Sequence, residues 1–215
     1  MKKQSLYLLI CLFTLLVSCS SSENQEETNS YIIKVKEHKT NLPLQGVEIS
    51  LYYCKYDNEF GCQKRLLSTH ITDAKGEYKM TEEEYLKADE GFILRKPQYW
   101  NVNRKMEEIA MEPEAWAKIA LKTNTTYPTT SIFVLKTTSE LGIESIQILK
   151  PYKDTIVDFR LFGNEMNKIN WIVYKTGQIC NGWSGTCSLP TDTITSGSIS
   201  LNPQKFETLT SSINY

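Results

Sequence analysis

The chain has 215 residues, with 24 Lys and Arg against 25 Asp and Glu and a formal charge of -1. It carries no run or stripe of basic residues able to neutralise a phosphate backbone, which excludes nucleic acid as a partner. The length allows one large or two ordinary domains, and two small domains is the preferred reading.

The first residues read as an export signal. Lys2 and Lys3 precede an apolar run from Leu6 to Val17 that only Thr14 clearly interrupts, and its twelve residues fall short of the roughly 20 needed to cross a bilayer as a helix. Leu16-Val17-Ser18-Cys19 follows, and this tetrad resembles a bacterial lipobox. The resemblance implies a signal peptide over 1–18, cleavage before Cys19, a diacylglyceryl group on its thiol and acylation of the new amino group. Each buried methylene contributes about 0.8 kcal/mol, so two or three fatty chains hold a protein on a membrane essentially permanently. The expected location is therefore lipid-anchored at the outer membrane, on its periplasmic or cell-surface face. Losing residues 1–18 removes two lysines and no acid, which takes the formal charge from -1 to -3.

Residues 19–30 hold Glu23, Glu26 and Glu27 among Ser, Asn, Gln and Thr, a composition too poor in apolar side chains to fold and suited to a tether. Its Ser20-Ser21-Ser22-Glu23 start resembles the acidic, serine-rich signals that send some Gram-negative lipoproteins to the cell surface. Beyond the tether the cysteines are Cys54, Cys62, Cys180 and Cys187. In an oxidising compartment Cys54 with Cys62 and Cys180 with Cys187 is the simplest of three possible pairings. Structural zinc is disfavoured because the spacings exceed Cys-x2-4-Cys and only His38 and His70 could complete a site. No metal ligand and no cofactor are assigned.

Strand signals begin at Tyr31, with Ile32, Ile33 and Val35, a turn at Thr40-Asn41, and Val47, Ile49 and Leu51 alternating with Glu48, Ser50 and Tyr52. This period of two predicts a half-buried strand. The Asp57-Asn58 step predicts a turn within the cysteine loop, Leu66 to Thr72 predicts a further strand, and Asp73-Ala74-Lys75-Gly76 a hairpin leading to Tyr78 and Met80. Thr81-Glu82-Glu83-Glu84 is a capping-box signature for a short helix before a Phe92-Ile93-Leu94 strand.

Leu42-Pro43-Leu44-Gln45-Gly46-Val47 followed by Thr72-Asp73-Ala74-Lys75-Gly76-Glu77-Tyr78 resembles the carboxypeptidase regulatory-like and transthyretin-like β-sandwich domains. The resemblance covers about residues 31 to 110 and implies a module that supports or presents other domains. The one enzyme group among transthyretin relatives, the hydroxyisourate hydrolases, carries a His/Arg/His constellation and a C-terminal Tyr-Arg-Gly-Ser. This chain instead reads Ser212-Ile213-Asn214-Tyr215 there, and His38 and His70 are read as surface residues of neighbouring strands.

Pro113 interrupts the pattern, which places a first domain at 31–112 and a second at 113–215. In the second, Ala115, Ala117, Ile119 and Leu121 alternate inward, and short apolar strands recur at Ile132–Leu135, Ile146–Leu149, Ile156–Phe162, Ile169–Tyr174 and Ile199–Leu201, with turns at Gly163-Asn164 and Thr176-Gly177. The expected class is all-β, two β-sandwich domains, the first transthyretin-like with a short helix.

Several features are candidate sites. Trp183, in the Cys180–Cys187 loop, either offers an aromatic face to a glycan or an envelope protein, or covers the sandwich edge. Tyr99 and Trp100 form an aromatic pair read as core or domain-interface packing. Asp57, Asn58 and Glu59 lack the ligand spacing of a calcium loop. Asp154-Thr155-Ile156 and Asp192-Thr193-Ile194 resemble an O-glycosylation acceptor of some Gram-negative groups, which implies modification at Thr155 and Thr193. With no nucleophile motif, acid/base pair or phosphate-binding glycine loop in the sequence, the expectation is a non-catalytic envelope-anchored module that binds or scaffolds. An envelope enzyme assembled only in three dimensions and an accessory subunit of an outer-membrane complex are the alternatives.

Overall fold

The computed structural model describes residues 29–57, 59, 61–176 and 191–215. In chain order the elements are β1 (Ser30–Glu37), β2 (Glu48–Asp57), β3 (Gly61–Ile71), β4 (Glu77–Thr81), α1 (Glu82–Lys87), β5 (Phe92–Arg95), β6 (Val102–Asn103), β7 (Glu108–Met111) and β8 (Glu114–Lys122). They continue with β9 (Ile132–Thr138), β10 (Glu144–Leu149), β11 (Thr155–Phe162), β12 (Asn167–Thr176), β13 (Thr191–Leu201) and β14 (Thr208–Asn214). The described residues are all-β, built as two sandwiches with one short helix.

Each sandwich closes over its own apolar core. In the first, sheet β4-β1-β7 packs on sheet β3-β2-β5-β6, and Ile33, Val35, Met80 and Met111 from one face meet Ile49, Leu51, Phe92 and Leu94 from the other. In the second, β11-β8-β14 packs on β10-β9-β12-β13, bringing Ala117, Ile119, Leu121 and Phe159 against Phe133, Leu135, Trp171 and Val173. The inward residues are those that alternation selects: along β8, Ala115, Ala117, Ile119 and Leu121 are buried while Trp116 and Lys118 are exposed. Both three-stranded sheets contain one parallel pair, β1 with β7 and β8 with β14. The sequence signals stop short of β6, β7 and β14, and they place the starts of β3 and β13 too late.

The turn chemistry explains the two motifs of the first sandwich. The Thr72 hydroxyl, buried, accepts from the Val47 N–H at 2.9 Å and donates to the Leu44 carbonyl at 2.6 Å. The Thr72 N–H also donates to the Val47 carbonyl at 3.0 Å, and the Gly46 N–H donates to the Thr72 carbonyl at 3.0 Å. Asp73 then accepts from the Lys75 and Glu77 N–H groups at 2.9 and 2.8 Å, which shapes the hairpin. Gly76 has φ +71°, and a Cβ there would stand 2.4 Å from Val35 O and 2.8 Å from Leu44 N, so both the conformation and the space require glycine. Thus the Leu42–Val47 entry and the Thr72–Tyr78 hairpin are two halves of one hydrogen-bonded knot.

Thr81 caps α1 as the sequence predicts. Its side chain accepts from the Glu84 N–H and the Glu84 carboxylate accepts from the Thr81 N–H, both at 3.2 Å. Cys54 and Cys62 form a disulfide across β2 and β3 with Cα atoms 5.4 Å apart, a separation within the range a disulfide requires. Glu59 N–H donates to the Asp57 carboxylate at 2.9 Å, so that acid shapes the turn. Among the described residues, no helix is long and apolar enough to cross a membrane.

Candidate functional site

The chain passes from β7 to β8 across Glu112 and Pro113 alone. This short crossing brings the end of β1 and the Gln98–Trp100 loop of one sandwich against three loops of the other, those around 139–143, 163–166 and 202–207. Polar and aromatic groups interlock there. Glu37, 1% exposed, accepts from the Tyr99 hydroxyl at 2.6 Å, from the Thr40 hydroxyl at 2.8 Å and from Lys205 Nζ at 3.1 and 3.2 Å. Burial pushes the Glu37 carboxyl up, but the hydrogen bonds from Tyr99, Thr40 and Lys205, with the Lys205 charge, outweigh it and hold its pKa below the ordinary value. Burial and the Glu37 charge push the Tyr99 phenol up, so it stays a donor.

Trp100 forms the second tie. Its indole N–H donates to the Leu161 carbonyl at 3.1 Å, its ring lies 4.6 Å from Phe162, and the Arg160 guanidinium covers it at 3.8 Å. Arg160 also pairs with Glu114. A backbone bond also crosses the seam, from Glu114 N–H to Gln98 O at 2.8 Å. The reading of Tyr99 and Trp100 as interface packing agrees with these contacts.

Beside this seam lies a cluster that the sequence reading missed. His38 and Lys39 enter from the turn after β1, Glu112 from the crossing, Glu140 from the β9–β10 turn and Glu165 from the β11–β12 turn. His38 Nε2 stands 3.8 Å from Glu112 Oε1 and 3.7 Å from Glu140 Oε2, and Lys39 pairs with Glu140. Glu112 is 0% exposed and Glu165 4%. Among the described residues neither Glu112 oxygen has a hydrogen-bond partner, and neither does His38 Nε2. The Ser139 hydroxyl stands near Glu112 and opposes its shift slightly, but burial and then the Glu165 charge dominate and push the carboxyl up to about 8. Burial raises Glu165 as well, outweighing the hydrogen bond that its carboxylate accepts from the Glu140 N–H. Burial and then the adjacent Lys39 charge lower the His38 pKa against the pull of Glu140, which favours the neutral imidazole, the form that ligates a metal. One ligand atom each from His38, Glu112 and Glu165 lies within 4.8 Å of the others. No spacing motif announces this trio, because three distant turns supply it.

The two histidines occupy separate environments rather than one constellation. His70 Nε2 contacts the Ser68 hydroxyl at 2.9 Å, and its ring stacks on Tyr78 at 4.2 Å. Cys54, Cys62 and Glu90 also converge, but the sulfurs are bonded to each other and are not thiolate ligands. Thr155 and Thr193 lie on β11 and β13, each an edge strand of its sheet; Thr155 is half-buried and Thr193 exposed. The Asp before each has positive φ, 50° at Asp154 and 65° at Asp192. Cys19, Cys180, Trp183 and Cys187 lie outside the described residues. A surface groove of about 540 Å³ runs between β3 and α1, with Leu66, Leu86 and Asp89 on its walls.

No protein-family model matches the chain, and no curated protein matches it either. Among solved structures it is similar to the Bacillus anthracis TIE protein, at 16% identity and a TM-score of 0.27 over 86% of this chain and 34% of that one. It thus spans about a third of that protein's length. It is also similar to the minor pilin of the Gram-positive pathogen Streptococcus agalactiae, at 10% identity and a TM-score of 0.30 over 86% of this chain and 94% of that one. A streptococcal ancillary pilin aligns at 14% identity and a TM-score of 0.26, over 85% and 62% of the two chains.

Proposed function

We propose that the mature chain is a non-catalytic lipoprotein that holds two β-sandwich domains, 31–112 and 113–215, as one rigid body for binding or scaffolding at the outer membrane. The observation that carries this reading is the seam: Glu37 of the first sandwich is bound at once by Tyr99 at 2.6 Å and by Lys205 of the second at 3.1 Å. Polar groups arranged this way fix an angle between two bodies, which is what a spacer or a presenting module needs. In this reading Cys19 is the lipidated anchor, residues 19–30 are the tether and the first domain is transthyretin-like or carboxypeptidase regulatory-like. Cys180 and Cys187 are the second disulfide, holding Trp183 as a contact for a glycan or an envelope protein. Thr155 and Thr193 are glycan acceptors, and their position on edge strands supports that role.

Three measurements test the proposal. Metabolic labelling with a palmitate analogue is expected to mark the wild type, and C19S is expected to lose both label and membrane retention; an unlabelled wild type overturns the anchor. Extraction in mild detergent is expected to recover the protein with a partner, and a lone species overturns the scaffolding role. Intact mass from the native host decides glycosylation at Thr155 and Thr193, an unmodified polypeptide mass apart from lipid excluding it.

A further inference from the structure

Glu112 poses an unmet chemical requirement. A fully buried carboxylate without a hydrogen bond is costly, yet both of its oxygens lack partners among the described residues, as does the His38 Nε2 that faces it at 3.8 Å. Among the described residues three carboxylates, from Glu112, Glu140 and Glu165, gather around a single cation, Lys39, and the His38 imidazole. With all three ionised, the site has a surplus of two negative charges. Lys39 is itself engaged by Glu140 at the exposed rim, which leaves Glu112 and Glu165 without an ion pair in the interior among the described residues. A divalent cation supplies the missing charge and the missing partners at once.

We propose that His38, Glu112 and Glu165 bind one divalent transition-metal ion, zinc being the reference case, in the seam between the two sandwiches. The donor set decides the class of ion. An imidazole nitrogen with two carboxylates suits zinc and its neighbours, whereas calcium and magnesium prefer oxygen throughout. The spacing comes close. Tetrahedral zinc with bonds of about 2.0–2.1 Å places its ligand atoms about 3.3 Å apart, so the 3.8 Å between His38 Nε2 and Glu112 Oε1 and the separations within 4.8 Å across the trio must contract on binding. Three protein ligands leave a fourth position for water or for Glu140, whose Oε2 is 3.7 Å from His38 Nε2. His38 comes from the first sandwich, Glu165 from the second and Glu112 from the strand crossing between them, so the ion acts as a clasp across the joint. This inference goes beyond the scaffolding role and does not depend on lipidation.

The test uses the full chain in detergent without reductant, so that Cys54 and Cys62 stay bonded, stripped with EDTA and then titrated with zinc chloride. The wild type is expected to retain one zinc per chain through gel filtration and to melt at higher temperature with zinc than without. E112Q, which keeps the side-chain shape and removes the charge, is expected to weaken zinc binding at least tenfold and to lose the zinc-dependent rise in melting temperature. H38A is expected to weaken binding to a similar degree, and circular dichroism of both variants checks that they fold. Cobalt substituted for zinc is expected to show no thiolate charge-transfer absorption. A wild type that retains no zinc, or unchanged affinity in folded E112Q and H38A, overturns the site; a thiolate band assigns the ion to cysteine and overturns it as well.

Discussion

The Tyr99 hydroxyl donates a 2.6 Å hydrogen bond to the buried Glu37 carboxylate, and the same carboxylate grips Lys205 of the other sandwich. A hydrogen bond to a charged group contributes about 1.5–3 kcal/mol. Tyr99→Phe is therefore expected to destabilise the protein by about 2 kcal/mol, read as a lower urea midpoint with an unchanged slope. A change below about 0.5 kcal/mol would show that Thr40 and Lys205 suffice to hold Glu37.

Glu112 makes stability depend on pH in the metal-free protein. Its carboxyl titrates near 8 in the folded chain against an ordinary value of 4.5, so between these values the folded state holds a proton that the unfolded state has released. The stabilisation is thus fully present below pH 4.5 and is lost as pH rises through 8. The slope reaches at most about 1.4 kcal/mol per pH unit for one proton, and Glu165, shifted in the same direction, adds to it. Urea midpoints measured in EDTA from pH 5 to pH 8 are expected to fall in the wild type and to flatten in Glu112→Gln. Parallel curves for the two proteins would remove Glu112 as the cause.

Gly76 is expected to tolerate no side chain. Gly76→Ala imposes a left-handed backbone cost of about 1–2 kcal/mol, to which the approach to Val35 O and Leu44 N adds a steric term. A loss of more than about 2 kcal/mol in chemical denaturation is the expected result. An alanine variant with wild-type stability would mean that the Leu42–Val47 entry can move aside.

The Cys54–Cys62 bond closes a short loop, with a sequence separation of 8, for which chain entropy gives about 2.5 kcal/mol. The C54S/C62S double variant is expected to unfold at a correspondingly lower denaturant concentration while both cores persist, because the bond staples a hairpin end remote from Ile49 and Leu51. Loss of all cooperative unfolding would show that the hairpin is needed for the fold.

Strands with period-two apolar residues were legible in the sequence, as were the hairpin at Asp73–Gly76 and the Thr81 cap, because each is written in neighbouring residues. β14 was not, since Thr208-Leu209-Thr210-Ser211-Ser212-Ile213-Asn214 offers only Leu209 and Ile213 to a core and takes its place through parallel pairing with β8. Two-residue β6 is too short to carry a period. The seam was only half legible. Tyr99 and Trp100 stood out as adjacent aromatics, but Glu37 and Lys205 look like ordinary surface charges until the fold buries one against the other. His38, Glu112 and Glu165 reach one point from three separate turns, which no local spacing encodes.

The parallel pairing of β8 with β14 also dictates an order of biogenesis. The first sandwich has all its strands once Met111 has been synthesised, because β7 returns to lie beside β1. β8 follows at once, yet one of its flanks stays bare until residues 208–214 arrive. During that interval Ala115, Ala117, Ile119 and Leu121 sit on a strand with an open edge, the condition under which nascent chains mispair or associate. A chaperone that shields β8 during folding therefore has a defined segment to cover, and a nonsense codon ahead of Thr208 leaves the strands of the first sandwich attached to an adhesive second half.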